Sequence, residues 1–277
     1  MSGYTGKKVM IGLSAGINSA AVLAWLIQSG QVPSELHLFY AHLEEHSPDS
    51  FSFVKSCIRV AKKHFPDVRV KVERHSVLRY FNQEKMIPHP TLSPCTEKLK
   101  IIPMILYCDK HEIEVDLVGY VRKEKRRINR MNKKNATTLF LSKEFPISLF
   151  DDEWCFNTVK DVIGWYPKIY DHKWNDPGFM EYVGGRLASL DEDTRRKVLK
   201  KLGTNARVFD HNNCLPCKNM YIDDMLGIEY FYPEYMKKAN DLSEALKSHW
   251  GRDADDYYMT FGKQDYESPK CEICSFD

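Results

Sequence analysis

The sequence predicts an α/β protein, a twisted parallel sheet with helices on both faces. Two observations carry that expectation. Short apolar blocks rich in β-branched residues recur along the chain, and segments of helical periodicity separate them. Strands joined through helices must cross over, which in practice means right-handed βαβ units. With 277 residues, 43% of them hydrophobic and 28% charged, the chain can bury a sizeable core.

Val9 to Leu13 is the first apolar block, suited to a strand buried on both faces. Ala20 to Ile27 is apolar nearly all round and rich in Ala and Leu, as a buried helix is, and Gly30 offers a stop. Between them lies Ser14-Ala15-Gly16-Ile17-Asn18-Ser19. The chain must turn sharply there, so Gly16 is expected to supply backbone freedom and Asn18 or Ser19 to cap the helix. Small side chains beside a helix N-terminus let an anion approach the free amides, although an ordinary tight turn would read the same way. The Gly-Lys-Ser/Thr ending of a Walker loop is absent.

The alternation continues. Leu36 to Leu43 reads as a second strand. Pro48-Asp49-Ser50 opens a helix with Phe53, Val54, Cys57, Ile58 and Ala61 on one face. Val68 to Val72 alternates as an edge strand does. Val115 to Val121 reads as a fourth strand and Thr137 to Leu141 as a fifth. Ligands of such sheets lie beyond the strand carboxyl ends, where Ser14–Ser19, Glu44–His46 and Arg122–Arg127 all fall. From Trp154 the texture changes to aromatic-rich, short helical pieces. Residues 1–150 are therefore expected to form a nucleotide-binding domain, and 151–277 a helical lid with a cysteine-bearing extension.

Forty basic against 38 acidic side chains leave a formal charge of +2, so bulk charge selects no polyanionic partner. No run of 18 or more apolar residues suggests a membrane span, and the N-terminus lacks a signal-peptide core. A cytoplasmic location is expected, with the eight cysteines mostly reduced.

With these pieces in order, the chain resembles the phosphoadenosine phosphosulfate (PAPS) reductase family, within the wider group of PP-loop adenine-nucleotide α-hydrolases. The opening loop is similar to that family's Ser-Gly-Gly-x-Asp-Ser, with Ser14, Gly16 and Ser19 in matching slots. Pro94-Cys95-Thr96 through Leu99-Lys100 is similar to its Cys-Thr-x-x-Leu-Lys segment. Gly119-Tyr120-Val121-Arg122 through Arg126-Arg127 resembles its Gly-Ile-Arg-x-x-Glu-Ser-x-Arg-Arg, and Phe145-Pro146-Ile147, Asp161-Val162 and Tyr170-Asp171 follow in family order. The resemblance implies a Rossmann-like sheet of five parallel strands and a site for an adenine nucleotide: PAPS, adenosine phosphosulfate (APS) or ATP. Its residues would be Ser14, Ala15, Gly16, Asn18, Ser19, Lys100, Gly119, Arg122, Arg126 and Arg127. Two positions depart from the pattern. Ala15 replaces a loop glycine, and Asn18 takes the acidic slot, where an amide cannot serve as a carboxylate ligand to magnesium.

Residues 122–134, RKEKRRINRMNKK, hold eight Lys or Arg and one Glu. Arginines suit phosphate and sulfate, and such a run can equally track a nucleic-acid backbone or lie as a solvated surface. Cys214-x-x-Cys217 and Cys271-x-x-Cys274 are two C-x-x-C pairs, 53 residues apart. Two such turns can close a four-thiolate site for zinc or an iron–sulfur cluster. The resemblance implies a second arrangement, with Cys95, Cys214 and Cys217 as cluster ligands and Cys271 or Cys274 as a nucleophile. Cys57, Cys108 and Cys155 sit in apolar helical contexts and read as core.

The expected activity is thiol-dependent reduction of a sulfonucleotide to sulfite, with a thioredoxin-like donor as partner. The alternatives are an ATP pyrophosphatase-type, metal-cluster sulfurtransferase acting on nucleic acid, and a non-catalytic nucleotide-binding relative. A homo-oligomer and the absence of a membrane partner complete the expectations.

Overall fold

The computed structural model describes residues 3–85, 94–135, 141–212, 214–217, 220 and 222–250. It is an α/β protein whose centre is a five-stranded, all-parallel sheet of order β3-β2-β1-β4-β5. The strands are β1 (Lys8–Leu13), β2 (Glu35–Leu43), β3 (Arg69–His75), β4 (Val115–Leu117) and β5 (Ser142–Glu144). In register, β1 places Val9 beside Leu36 on one side and Val115 on the other, and Val115 in turn faces Ser142. The chain thus runs outward from β1 through β2 to β3, then crosses back to enter β4 on the opposite flank. The strand order reverses between β1 and β4, so a crevice opens beyond their carboxyl ends.

The described chain divides into two compact units. The first takes in residues 1–42, 48–75 and 98–167. Its sheet is covered on one face by α1 (Ile17–Gln28), α2 (Ser50–His64) and, later in the chain, the helix Asp152–Ile163, which pack together. Val9, Ile11 and Leu13 point to that side, and all three are buried. Successive strand residues face opposite ways, so Met10, Phe39 and Ala41 project to the other face and meet Cys108 and Ile113. Burial of a side chain the size of Met10, Phe39 or Ile113 contributes roughly 1.5–3 kcal/mol. α1 is buried at Ile17, Ser19, Ala20, Ala21, Val22, Leu23, Ala24 and Leu26, as its nearly continuous apolar character predicts.

The second unit takes in the described residues among 43–47, 76–97 and 168–277. It contains α3 (Val77–Glu84) and the short α4 (Pro94–Thr96); a π-turn, Glu97–Ile101, then leads into α5 (Ile102–Lys110) of the first unit. The first unit also holds α6 (Lys125–Asn135) and α7, the Asp152–Ile163 helix. The second continues with α8 (Pro177–Arg186), α9 (Glu192–Lys201), α10 (Ile222–Phe231) and α11 (Pro233–Trp250). Its core gathers Trp174, Phe179, Val183, Val198, Phe209 and Ile228, all buried. Asp176 caps α8 at Phe179 N (2.8 Å) and Asp191 caps α9 at Thr194 N (2.9 Å).

The buried Glu45 is the polar anchor of this unit. Its carboxylate accepts from Ser76 Oγ (2.6 Å), Val77 N (2.9 Å) and Leu78 N (3.1 Å), satisfying the start of α3. Its carbonyl accepts from Leu215 N (2.7 Å), inside the first C-x-x-C turn.

One expectation about strands needs correction, and another lies mostly outside the described residues. The fourth strand ends at Leu117 rather than Val121, because the chain turns away at Gly119 to meet α1. Most of the segment expected as the fifth strand, residues 137–140, lies outside the described residues, and β5 begins at Ser142. Among the described residues no helix is long and apolar enough to cross a membrane.

A polar row runs across the sheet beneath α5: His37, Met10, Asp116 and Lys143 are neighbours in register. Lys143 Nζ lies 3.2 Å from the buried Asp116 carboxylate, whose pKa burial still holds above the usual range. His37 is fully buried, with Nδ1 2.9 Å from Tyr107 Oη and Nε2 3.4 Å from Glu35 Oε2. Desolvation lowers its pKa against the pull of Glu35. A base with a depressed native pKa binds its proton more readily in the unfolded chain. Stability is therefore undiminished above about pH 6.5 and is lost as pH falls below that ordinary imidazole value. Between about pH 7.5 and 5.5, the melting temperature of the native protein should fall more steeply than that of His37→Gln. Parallel pH profiles would remove His37 as the cause.

Candidate functional site

The turn between β1 and α1 is held by its own hydroxyls. Ser14 N donates to Ser19 Oγ (3.1 Å), the two hydroxyl oxygens lie 3.1 Å apart, and Ser19 Oγ donates to Gly16 O (3.0 Å). Gly16 N closes the ring by donating to Ser14 Oγ (3.3 Å). Ser19 therefore does not cap the helix as expected. Gly16 occupies the N-cap position with no side-chain cap, and Asn18 lies within the first turn. Ser19 cannot cap because its oxygen already braces the loop from inside.

The left-handed residue is Ala15, with φ 61°, and not Gly16, whose φ is −82°. An L-residue there carries strain of roughly 1–2 kcal/mol. The Ala15 methyl is buried, and that burial offsets part of the strain. Asn18 Oδ1 is buried and has no hydrogen-bond partner among the described residues. An unsatisfied buried acceptor costs about 1–3 kcal/mol, which a donor arriving on a ligand or water would recover.

Across the crevice, Gly119 leaves β4 against the first turn of α1. A Cβ on Gly119 would stand 2.7 Å from Asn18 O, 2.8 Å from Asn18 C and 3.0 Å from Ser19 N. The two main chains touch, and only glycine fits between them.

Beyond Gly119 the basic residues take distinct positions. Arg122 is spent on structure: its N donates to Phe150 O (2.9 Å) and its guanidinium clamps Leu149 O, with Nε at 3.0 Å. Its side chain is exposed and makes no ion pair among the described residues. Arg127 pairs with Glu124 and lies 4.4 Å over the Tyr120 ring, which itself stacks on Phe145 at 5.6 Å. Glu124 also accepts from Val121 N (3.2 Å), a brace that sequence reading missed although this acid stands alone in a basic run. Lys123 pairs with Asp152 at 2.5 Å. Arg126 is exposed on α6, and Lys100 is half-buried in the π-turn.

The cysteines separate by environment. Burial pushes the Cys57, Cys108 and Cys155 thiols up to about 12, which makes them core residues and poor nucleophiles near neutral pH. Cys95, Cys214 and Cys217 all belong to the second unit. Cys214 is buried, while Cys95 and Cys217 are half-buried. Among the described residues no group of three His, Cys, Asp or Glu side chains gathers as a metal site. Cys271 and Cys274 lie outside the described residues.

No protein-family model matches the chain, and no curated protein matches it. Among solved structures, the chain is similar to a phosphoadenylyl-sulfate (PAPS) reductase from Candida auris in its phosphate complex. The identity is 12%, the TM-score 0.38, and the match covers 60% of this chain and 78% of that one. It is similar to the NMN synthetase of Francisella tularensis at 11% identity and TM-score 0.39, over 60% of this chain and 64% of the synthetase. It is also similar to the U34-tRNA thiolase NcsA of Methanococcus maripaludis, solved with its [4Fe-4S] cluster. That match has 14% identity and TM-score 0.39, over 88% of this chain and 74% of the thiolase.

Gly119→Ala should cost roughly 1–3 kcal/mol by forcing a methyl into backbone. Urea denaturation measures the loss. A change below about 0.5 kcal/mol would mean that the β4–α1 contact is not tight, since only substitutions away from such features are that mild.

Proposed function

We propose that the protein binds an adenine nucleotide over Ser14–Ser19 and acts as a PAPS-reductase-like enzyme, releasing sulfite from a sulfonucleotide at the expense of a dithiol. One observation supports the binding step above the others: the braced, small-residue turn stands at the carboxyl end of β1, where the strand order reverses. A sulfate or phosphate seated there would meet first-turn amides of α1 and the positive end of its dipole. Lys100 would add positive charge, and Arg122 and Arg127 would stiffen the β4 exit.

The chemistry falls to the C-terminal cysteines. The thiolate of Cys271 or Cys274 attacks the sulfonate sulfur, forming an S–S bond as the sulfur–oxygen bond to the nucleotide phosphate breaks. The adenylate leaves with the electron pair. A thioredoxin-like dithiol then attacks the modified cysteine, expelling sulfite, and its second thiol closes a disulfide that returns the enzyme cysteine to the reduced state. Two electrons pass from the dithiol to sulfur. The two C-x-x-C pairs could alternatively hold zinc or an iron–sulfur cluster and fasten the tail to the body.

ATP-dependent sulfur transfer to a nucleic acid is the second reading, favoured by the acid-free helix α6. Asn18 opposes it, since an amide gives magnesium no carboxylate.

Adding adenylyl sulfate at about a hundred times its Kd should stabilise the protein by about 2.7 kcal/mol, raising its melting temperature. Sulfite should appear when a dithiol is present, and Cys271→Ser or Cys274→Ser should abolish it. A melting temperature indifferent to adenylyl sulfate, PAPS and ATP alike would dismiss both enzymatic readings. Stabilisation by ATP with pyrophosphate release and no sulfite would select the second.

A further inference from the structure

We propose that the outward face of α6 is a docking surface for the sugar–phosphate backbone of a nucleic acid. The inference is independent of which reaction the Ser14–Ser19 loop supports.

α6 reads KRRINRMNKKN, with six Lys or Arg and no acid in eleven residues. From 125 to 133 only Ile128 and Met131 are half-buried; every other residue in that span is exposed. Those two apolar residues, three apart, hold the helix to the protein, leaving the rest of its circumference to solvent. Two acids at the helix entrance are already paired, Glu124 with Arg127 and Asp152 with Lys123. Lys125, Arg126, Arg130 and Lys133 make no ion pair among the described residues.

The helix dipole does not explain the cations of the first turn. Cations complement a helix dipole in the last turn and oppose it in the first, at roughly 0.3–1 kcal/mol each at low salt. Lys125, Arg126 and Arg127 stand in that unfavourable first turn.

Arg126, Arg130 and Lys133 recur at four- and three-residue spacing, so they form one stripe spanning about 10 Å at 1.5 Å per residue. A small nucleotide concentrates its charge at one point, but a duplex carries a charge about every 1.7 Å of axis and can meet the whole stripe. Asn129 and Asn132, both exposed, add amide donors of the kind that contact phosphate and sugar. A membrane surface fits less well, because interfacial helices bury an apolar face in lipid. Here the apolar residues are turned toward the protein.

The test uses the full chain with a fluorescein-labelled RNA hairpin and a DNA duplex of the same sequence, read by anisotropy across a fourfold range of salt. Each phosphate contact contributes about 3.5-fold to the affinity lost over that range, so Arg130→Glu/Lys133→Glu should remove about 12-fold of the native salt dependence. The polynucleotide bound more tightly identifies the source of the backbone. The same double variant should keep the melting shift produced by the nucleotide at the Ser14–Ser19 loop, which separates this surface from that site. Equal binding and equal salt slopes for native and variant protein, no binding to either polynucleotide, or tighter binding to phosphatidylserine-rich vesicles would each overturn the proposal.

Discussion

The constraint on which the first unit depends is a contact between two stretches of main chain. Gly119, leaving β4, lies against the carbonyl of Asn18 and the amide of Ser19 in the first turn of α1. Side chains are excluded from that junction, so it has almost no freedom to adjust. The contact sets where the turn after β1 stands relative to the β4 exit. It also joins the braced serine loop to the basic segment that follows Gly119.

The serine loop is rigid for a different reason. Two hydroxyls, two backbone amides and the Gly16 carbonyl form a connected set of hydrogen bonds over Ser14, Gly16 and Ser19, and Ala15 within it is left-handed. The left-handed Ala15 and the unsatisfied acceptor on Asn18 stand side by side in this turn.

Much of the first unit was legible in the sequence because hydrophobic period and strand length are local signals. Val9 to Leu13 and the nearly all-apolar α1 declared themselves, and so did the amphipathic α2. Details that depend on tertiary partners were not legible. Gly16 looked like the flexible residue, yet the hydroxyl ring places the demand on Ala15. Ser19 looked like a helix cap, but its oxygen faces inward to Ser14. Arg122 looked like an anion ligand, and nothing local announced that its guanidinium would also donate to the carbonyl of Leu149, 27 residues away. Glu45 gave one weak signal, an acid directly after a buried strand. Nothing local announced that it would serve both the start of α3 and the first C-x-x-C turn.

Charge is distributed to match this division. Where the basic segment meets the sheet, its cations are paired or clamped; farther along α6 they stand open to solvent. The central claim is that the turn after β1 receives an anionic nucleotide. Backbone amide shifts recorded during titration with adenylyl sulfate test it most directly. The account predicts saturable shifts centred on residues 14–19 and on Gly119. Shifts confined to the second unit, with these amides unmoved, would contradict it.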